Sequence, residues 1–483
     1  MYFTRAISII KETTETFLCL LFIVFAFGAC VNVNLPAIFS DNMVLQQQFQ
    51  VAVWGWAKPN ANVSVTGSWD NKKYNVKSDA NGYWLVKILT PVAGFTPYTL
   101  TIRNGRAVTL KNILIGEVWL CSGQSNMEMP MKGYDWKDDG YEPIEEGPES
   151  IATSANFGIH CFTVGKTSKA APQDDCIGDW KIANPQNTPE FTATGYFFAR
   201  LINKELNVPV GLIHTSWGGS RIEAWMTPGS LKDIPEKTIP VSDVDIKDKI
   251  QTPTVLYNGM IHPIVGYGIR GAIWYQGESN VDEPDLYVKM FDEMVREWRN
   301  LWEMGEFPFY YCQIAPFNYG NKINTAFFRE AQTKGKTTTP NTGMAVLMDS
   351  DSPTGIHPPK KRDAGERLAF WALAKTYGMD RVYRSPELQL VEIEGHVTVL
   401  IFDLPADPGL TTHGKEILNF SISGDDKTFF PAKATCSGNK VYVSSPSVTQ
   451  PVAVRYCWDN TSAAELFTVE GNLPVSSFRT DSW

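Results

Sequence analysis

Hydrophobic and polar positions follow two different patterns along this chain. From about residue 35 to residue 110, apolar and polar residues alternate in short runs separated by Pro, Gly and Asn, at 51–56, 62–66, 82–89 and 98–102. Period-two runs of this length predict a small β-sandwich. Similar short runs return after about residue 380, at 387–393, 396–402, 441–444 and 452–458, and predict a second β region.

The middle of the chain has a different pattern. Near-continuous apolar runs occur at 113–120, 210–213, 269–275, 307–314 and 344–348. Helical stretches lie between them, such as 194–205, 286–302 and 362–377. Apolar strands that alternate with helices predict the α/β class, with a parallel sheet covered on both faces. A ligand crevice is then expected beyond the carboxyl ends of the strands.

These patterns divide the chain into four predicted parts: a leader at 1–30, an N-terminal β-sandwich at 31–110, an α/β hydrolase domain at 111–379 and a C-terminal β region at 380–483. The leader carries the apolar run 17–29, which is typical of an export signal and shorter than the roughly 20 residues that span a bilayer. Export to the periplasm, the medium or a membrane tether is therefore expected. Gly28-Ala29-Cys30 resembles a lipobox, which would place a lipid anchor on Cys30; cleavage without lipid is the alternative.

Composition and charge indicate which kinds of partner this chain can bind. The chain of 483 residues has a formal net charge of -9, with acidic and basic residues interspersed, so it offers no basic face to nucleic acid. Aromatic residues make up 12% and include 15 Trp, which suits stacking against sugar rings.

Cysteine usage leaves the disulfide question open. Outside the leader, an even number of cysteines in an exported chain permits disulfides. The pairs closest in sequence are Cys161 with Cys176 and Cys436 with Cys457. The sequence does not fix the pairing, and no spacing matches a zinc site.

A candidate nucleophile follows the first apolar run of the α/β region. Residues 121–127 read Cys-Ser-Gly-Gln-Ser-Asn-Met, which places Ser125 in a Gly-containing turn after a buried strand. Such a position presents a hydroxyl from a rigid base, as nucleophilic catalysis requires. Met127 stands where the lipase motif G-x-S-x-G needs its second glycine, so ordinary lipase architecture is disfavoured. A plain strand-to-loop turn is the alternative interpretation of this segment.

A serine nucleophile needs a base and oxyanion donors. His357 precedes the helix at 362–377 in a loop after the last apolar run, and it is the candidate base. His214 and His262 are more readily interpreted as structural histidines. The candidate oxyanion donors are the backbone N–H groups of Ser125 and of Gly218 or Gly219, and the side-chain amides of Gln276 and Asn280.

With these residues placed, the sequence resembles the SGNH hydrolases and, within them, the sialate O-acetylesterase family. The segments that carry the resemblance are 116–127, 209–225, 257–263, 271–280, 355–358 and 454–460. The resemblance implies a flavodoxin-like three-layer α/β/α core flanked by β-sandwich-like regions, and hydrolysis of acetyl esters on sugars. It also implies Ser125 as the nucleophile, His357 as the base, and the glycine and Gln276 or Asn280 loops as oxyanion donors.

The acid partner of the histidine departs from the family pattern. Related sequences often have an acidic residue two or three positions before the histidine, where this chain has Thr354 and Gly355. Asp351 is the first substitute and Asp349 the other one. A dyad of Ser125 and His357, with the imidazole held by a backbone carbonyl, is the third alternative.

The sequence therefore predicts a metal-independent carbohydrate O-acetylesterase that needs no cofactor and acts through a Ser-His acyl-enzyme mechanism. The expected partner is an acetylated carbohydrate, either an O-acetylated sialic acid or a plant glycan such as xylan. The alternative of another class is a non-catalytic carbohydrate-binding protein. Hydrolysis of p-nitrophenyl acetate beside a Ser125→Ala control distinguishes the two.

Overall fold

The N-terminal part of the chain is built from β-strands. The computed structural model describes residues 33–134, 143–234, 237–350, 355–405 and 408–483, so the predicted leader and Cys30 lie outside the described residues. The strands of this part are β1 (Val33–Asn34), β2 (Val44–Gln46), β3 (Gln50–Ala57), β4 (Asn62–Gly67), β5 (Lys73–Lys77), β6 (Tyr83–Leu89), β7 (Gly94–Asn104) and β8 (Arg106–Gly123). Strands β1, β3 and β6 form one sheet, and β5, β4, β7 and β8 pair in another.

Strand β8 joins the N-terminal β region to the α/β core. Its first part pairs antiparallel with β7, from Asn104 opposite Arg106 to Gly94 opposite Ile115. Its last seven positions pair with the central strands of the core sheet. A Cβ on Gly116, between the two parts, would lie 2.1 Å from the carbonyl oxygen of Pro209. The predicted boundary at residue 110 thus falls inside a continuous strand.

The core sheet contains the predicted apolar runs. Besides β8, its strands are β9 (Asn156–Thr163), β10 (Trp180–Ala183), β11 (Val210–Ser216), β12 (Gly271–Tyr275), β13 (Phe309–Cys312) and β14 (Thr342–Ala345). Their order is β10-β9-β11-β8-β12-β13-β14, and every pair is parallel except β10 with β9. All five predicted strands are confirmed. Strands β9 and β10 were not predicted, because Gly158 and His160 interrupt the apolar pattern of β9 and β10 has four residues.

Helices cover this sheet in two pairs. The α-helices are α1 (Ser125–Glu128), α2 (Gly147–Ala152), α3 (Ala193–Leu206), α4 (Pro284–Trp302), α5 (Ala326–Thr338) and α6 (Lys361–Trp371). Helix α3 packs on α6, and α4 packs on α5. Trp119 of β8 lies in the apolar cluster of α3 and α6, whereas its neighbour Leu120 lies in the cluster of α4 and α5. Alternate residues of the strand therefore enter different clusters.

The connections add short helical turns. They are 3-10 turns at Thr188–Glu190, Ile222–Trp225, Asp243–Asp245, His262–Ile264 and Glu278–Asn280, and π turns at Tyr257–Ile261 and Ala372–Thr376. The three predicted helices are confirmed as α3, α4 and α6, although the third changes to a π turn after Trp371. Within the described ranges, no helix is both long enough and apolar enough to cross a bilayer.

The C-terminal part returns to β-structure, as predicted. Its strands are β15 (Glu387–Glu394), β16 (Val397–Asp403), β17 (Leu410–Thr411), β18 (Phe420–Ser423), β19 (Phe429–Pro431), β20 (Lys433–Ser437), β21 (Lys440–Ser444), β22 (Ala453–Tyr456), β23 (Phe467–Thr468) and β24 (Phe478–Arg479). Arg329 of α5, which is 0% exposed, donates to the carbonyls of Cys457 (3.1 Å) and Asp459 (2.5 Å). The buried Arg329 guanidinium therefore links the C-terminal β region to the core by hydrogen bonds.

The six cysteines outside the leader are all free thiols. The candidate pairs Cys161 with Cys176 and Cys436 with Cys457 are therefore not disulfides in this structure. The thiol of Cys161 lies 3.8 Å from the hydroxyl of Thr163, and the thiol of Cys457 lies 3.3 Å from the carbonyl oxygen of Ala463. Nearness in sequence did not bring the paired sulfur atoms together.

Candidate active site

Ser125 lies at the carboxyl end of the central strand β8. Gly123 ends the strand at φ +138°, and a Cβ there would lie 2.2 Å from the carbonyl oxygen of Tyr275. The chain then turns, and Ser125 begins helix α1 with 8% of its surface exposed. Among the described residues, no group is hydrogen bonded to its Oγ or to its backbone N–H.

His357 lies next to the Ser125 loop, although the two are far apart in the sequence. The Tyr134 ring packs edge-on against the His357 ring, with 5.4 Å between centroids, and the Tyr134 hydroxyl donates to the carbonyl oxygen of Ser125 (2.9 Å). In a second link, Asn126 Nδ2 donates to the carbonyl oxygen of Ile356 at 3.1 Å, across 230 positions. The fold thus brings the predicted nucleophile and the predicted base into one region.

The two candidate acids have different outcomes. Both carboxylate oxygens of Asp349 accept hydrogen bonds from Arg367, each at 2.6 Å. The backbone carbonyl of Asp349 accepts a third, from Lys360 Nζ at 2.8 Å. Asp349 is thus engaged by a buried arginine. Asp351 lies outside the described residues, so its assignment stays a prediction.

Gly218, one of the predicted oxyanion residues, borders the nucleophile. A Cβ built on it would lie 3.2 Å from the Cβ of Ser125. Its N–H donates to Oε2 of Glu128 at 2.5 Å, and Oε1 of the same carboxylate pairs with Lys166 at 2.6 Å. The adjacent Gly219 has φ +76°, a left-handed conformation that favours glycine. The Gly218 amide therefore borders the nucleophile and holds a carboxylate.

The side-chain amides of Gln276 and Asn280 are fully buried. Gln276 Nε2 donates to the carbonyl oxygen of Ser220 (3.1 Å) and to Asn280 Oδ1 (2.8 Å). Asn280 Nδ2 donates to Glu223 (3.0 Å), and its Oδ1 accepts from the N–H of Ile222 (3.0 Å). These contacts brace the 220–223 turn. They give no direct support to the prediction that these amides bind an oxyanion.

A buried polar cluster behind Ser125 was not foreseen from the sequence. Lys361 Nζ donates to Asn126 Oδ1, and Asn126 Nδ2 donates to Glu278 Oε1 at 2.5 Å. These side chains are 1%, 1% and 8% exposed for Lys361, Asn126 and Glu278. Burial lowers the pKa of Lys361 to about 7, opposed by the charge of Glu278, and burial raises the pKa of Glu278. The only sequence signal was the position of Asn126 and Glu278 inside the two loops already singled out.

Two histidines near this site have lowered pKa values. Burial, helped by the charge of Lys361, lowers the pKa of His357 to about 3. Burial, helped by Lys166, lowers the pKa of His214 to about 4. His214 Nε2 lies 2.5 Å from the hydroxyl of Ser216. Both imidazoles are therefore neutral at physiological pH, which is the form that a general base requires.

A cleft of about 440 Å³ lies beside the nucleophile and is lined by Glu128 and Tyr134. Its charged side chains are ion-paired: Lys166 with Glu128 at 2.6 Å, and Lys132 with Glu190 at 2.9 Å. The cleft is therefore polar with its charges largely balanced.

Comparison with known proteins finds carbohydrate esterases. The family model described as carbohydrate esterase, sialic acid-specific acetylesterase, matches residues 115–369. The sialate O-acetylesterase of Homo sapiens is 29% identical over 478 residues, covering 89% of this chain and 88% of that protein. The enzyme of the same name from Mus musculus is 29% identical over 492 residues, covering 87% and 89%. The crystal structure of a carbohydrate acetylesterase from Xanthomonas citri aligns with TM-score 0.84 and 38% identity, covering 93% of this chain and 100% of that one.

Proposed function

Because the chain belongs to the family of carbohydrate esterases that contains the sialic acid-specific acetylesterases, we propose that it hydrolyses O-acetyl esters of carbohydrates with Ser125 as its nucleophile. It is a carboxylic ester hydrolase by this membership. The observation that carries the assignment of the site is the pair of links, through Tyr134 and Asn126, that joins the Ser125 loop to the His357 loop.

In the proposed reaction, His357 takes the proton of Ser125 while Oγ attacks the acetyl carbonyl carbon. The tetrahedral intermediate collapses, the sugar oxygen leaves with the proton from His357, and the acetyl group stays on Ser125. His357 then takes a proton from water, which attacks the acyl-enzyme. Acetate leaves, and the Ser125 hydroxyl is restored.

The oxyanion site is assigned to the backbone N–H groups of Ser125 and Gly218. The Ser125 N–H has no acceptor among the described residues, and the Gly218 backbone lies beside the nucleophile. Since the Gly218 N–H donates to Glu128 here, the acetyl oxygen must replace that carboxylate for the donor to act. Gln276 and Asn280 remain the side-chain candidates, and their observed contacts support a bracing role.

The acid partner of His357 is assigned to Asp351, six residues before it in the chain. Engagement of Asp349 by Arg367 favours this choice over Asp349. If Asp351→Asn retains a near-parental rate, a Ser125 and His357 dyad is the better description.

For the core we propose the SGNH type of three-layer α/β/α arrangement. Its support is the parallel order of strands β9, β11, β8, β12, β13 and β14, with the two helix pairs on separate apolar clusters. The nucleophile then lies where strands β11 and β12 flank β8 on opposite sides, which is a switch point of the sheet.

We propose an acetylated sugar unit as the group bound in the cleft. Lys132 and Lys166 are each paired with a glutamate, which favours an uncharged sugar such as those of xylan over the carboxylate of a sialic acid. A panel of acetylated xylan and O-acetylated sialic acid, with acetate release as readout, tests this choice. Faster release from the sialic acid would contradict it.

Export is also proposed, from the apolar run 17–29 and the basic residues before it. Labelling of the full-length chain with a fatty acid analogue tests lipidation of Cys30, with Cys30→Ala as the control. Label that persists in Cys30→Ala would exclude this cysteine as the anchor.

The decisive experiment for the mechanism compares the parent enzyme with Ser125→Ala on p-nitrophenyl acetate. Loss of the nucleophile is expected to lower kcat by about 1,000-fold or more. Ser437→Ala, an exposed serine of strand β20, is the matched control and should keep the parental rate. Equal rates for Ser125→Ala and the parent would contradict the assignment.

A further inference from the structure

A second cleft, of about 460 Å³, lies between the N-terminal β region and the core. One wall is strands β3 and β6, and the other is the 262–265 segment that precedes strand β12. It shares no lining residue with the cleft beside Ser125. The proposed reaction at Ser125 and His357 does not involve this second cleft.

The first wall of this cleft is aromatic. Trp56 lies opposite Tyr83 and Trp54 opposite Leu85 in the antiparallel ladder of β3 and β6. Because residues two apart on a strand point to the same face, these four side chains form one surface. Tyr83 is 37% exposed and Leu85 41% exposed, while the rings of Trp56 and Tyr83 meet edge-on at 6.1 Å. An exposed apolar surface rimmed by polar residues is typical of a binding site.

Polar groups surround the aromatic wall. Asp79, Asn81 and Asp174 line the cleft, and all three are exposed. Partial burial raises the pKa of Tyr83, and so do the charges of Asp174 and Asp79. These side chains offer hydrogen-bond acceptors around an apolar surface.

His262 lines the opposite wall. Its Nδ1 lies 2.8 Å from the carbonyl oxygen of Gln173. Since a carbonyl can only accept, Nδ1 donates this hydrogen bond. The cleft therefore combines aromatic rings with several acceptors and two negative charges.

We propose that this cleft is a non-catalytic binding site for an uncharged pyranose unit of a polysaccharide. A pyranose has a C–H face that packs on aromatic rings and hydroxyl groups that donate to carboxylates, so it matches both features of the cleft. The carboxylates of Asp79 and Asp174 disfavour an anionic sugar. Such a site would hold a glycan chain independently of where its acetyl groups are removed.

Native gel electrophoresis of the full protein through gels containing unacetylated xylan or glucomannan tests the proposal. Calorimetry with xylohexaose, cellohexaose and N-acetylneuraminic acid then gives dissociation constants. The parent protein should bind at least one neutral glycan. Trp56→Ala should weaken that binding by about tenfold or more, as expected for the loss of an aromatic contact. Asp174→Ala, in an exposed loop, should weaken it without disturbing the fold.

Two control variants keep the result specific. Trp69→Ala removes a tryptophan of the same β region that packs on Tyr98, away from the cleft, and should bind like the parent. Trp217→Ala alters the neighbourhood of Ser125, where Lys166 lies over the Trp217 ring. Loss of binding in Trp217→Ala but not in Trp56→Ala would assign the glycan to the catalytic cleft and overturn the proposal. Thermal midpoints of all variants report on folding.

Three further outcomes would also overturn it: no retardation by any neutral glycan, parental binding by both Trp56→Ala and Asp174→Ala, or preferential binding of N-acetylneuraminic acid. Because the probes carry no acetyl ester, these readouts do not depend on the proposed esterase activity. Hydrolysis of p-nitrophenyl acetate by the parent protein tests that activity separately.

Discussion

The side chain of Asn126, the residue after the proposed nucleophile, forms hydrogen bonds with Ile356, Glu278 and Lys361. Its Nδ2 donates to the carbonyl oxygen of Ile356, just before His357, and to Glu278. Its Oδ1 accepts from Lys361. A planar amide with fixed partners on both ends has little freedom to rotate. Asn126 therefore acts as a positioning residue that sets the spacing between the Ser125 and His357 loops.

Replacement of Asn126 tests this role. In Asn126→Ala, we expect kcat on p-nitrophenyl acetate to fall by about 10- to 100-fold, because small displacements of reacting groups are costly. KM should change little, since the acetyl-binding groups remain. Asn203→Ala is the matched control, because Asn203 Nδ2 also holds a carbonyl, that of Val208 at 2.7 Å, outside the site. A rise in KM with unchanged kcat would argue for a role in binding instead.

The pH dependence of the reaction depends on His357. A general base acts in its neutral form, so activity is lost as pH falls through its pKa. Because burial and the charge of Lys361 lower this pKa to about 3, the acid limb of kcat/KM should lie below the ordinary histidine value of about 6.5. A pH profile of the parent enzyme checks this. An acid limb at or above that ordinary value would contradict the environment described for His357.

Lys361→Met separates the charge of Lys361 from its volume. Loss of the positive charge should raise the pKa of His357, and with it the acid limb of kcat/KM, toward higher pH. Lys375→Met, an exposed lysine farther along the same helical segment, should leave the profile unchanged. A shift toward lower pH in Lys361→Met would contradict this explanation.

Strand β8 is part of the N-terminal sheet, and it ends two residues before the nucleophile. The strand contains one fully buried carboxylate, Glu117. It accepts from Arg270 Nε at 2.7 Å, from the hydroxyl of Tyr377 at 2.8 Å and from Gln47 Nε2 at 2.6 Å. These partners come from three separate parts of the chain, so Glu117 fixes the position of β8 among them.

Loss of this carboxylate should destabilise the fold. In Glu117→Ala, the partly buried donors of Tyr377, Gln47 and Arg270 lose their buried acceptor, and the free energy of unfolding should fall by about 3 kcal/mol. Urea denaturation measures the change. Glu205→Ala, at the exposed end of helix α3, should change stability by less than about 0.5 kcal/mol. Equal stabilities of the two variants would show that the Glu117 contacts contribute little.

In the whole molecule, one apolar cluster is shared by the N-terminal β region, the α/β core and the C-terminal β region. It includes Val53 of the N-terminal region, Trp274 of the core and Val454 of the C-terminal region. Polar contacts add to it, such as the hydrogen bond from the Trp180 indole to the carbonyl oxygen of Ile38 at 2.8 Å. Strand β8 also crosses the predicted boundary at residue 110 without a break. Because its first part pairs with β7 and its last part with β11, the N-terminal sheet and the core sheet both depend on this strand.

We therefore expect the described chain to unfold as one unit. Calorimetry should give a single transition in which the calorimetric and van't Hoff enthalpies agree. A variant that begins at Arg106, and so lacks the N-terminal strands β1 to β7, should be insoluble, because it exposes apolar residues that these strands cover. Two or three separated transitions, or a soluble and active truncated core, would show that the regions fold independently.

The sequence alone predicted five strands and three helices of the core, and it identified the candidate nucleophile and base. Each of these depends on local order: an apolar run is a buried strand wherever it packs, and a Gly-rich turn after it presents its serine. Strands β9 and β10 were not predicted, because the apolar pattern of β9 is interrupted and β10 is short. Family motifs added the expected chemistry, which the comparisons support.

Which polar side chains contact one another could be seen only in the folded structure. Lys361, Asn126 and Glu278 come from three separate segments, and no local pattern marks them as one buried cluster. The engagement of Asp349 by Arg367, the bracing contacts of Gln276 and Asn280, and the free state of the cysteines are likewise long-range outcomes. The physical reason is that burial and pairing depend on what the rest of the chain places around a group, whereas secondary structure depends mainly on its neighbours in sequence.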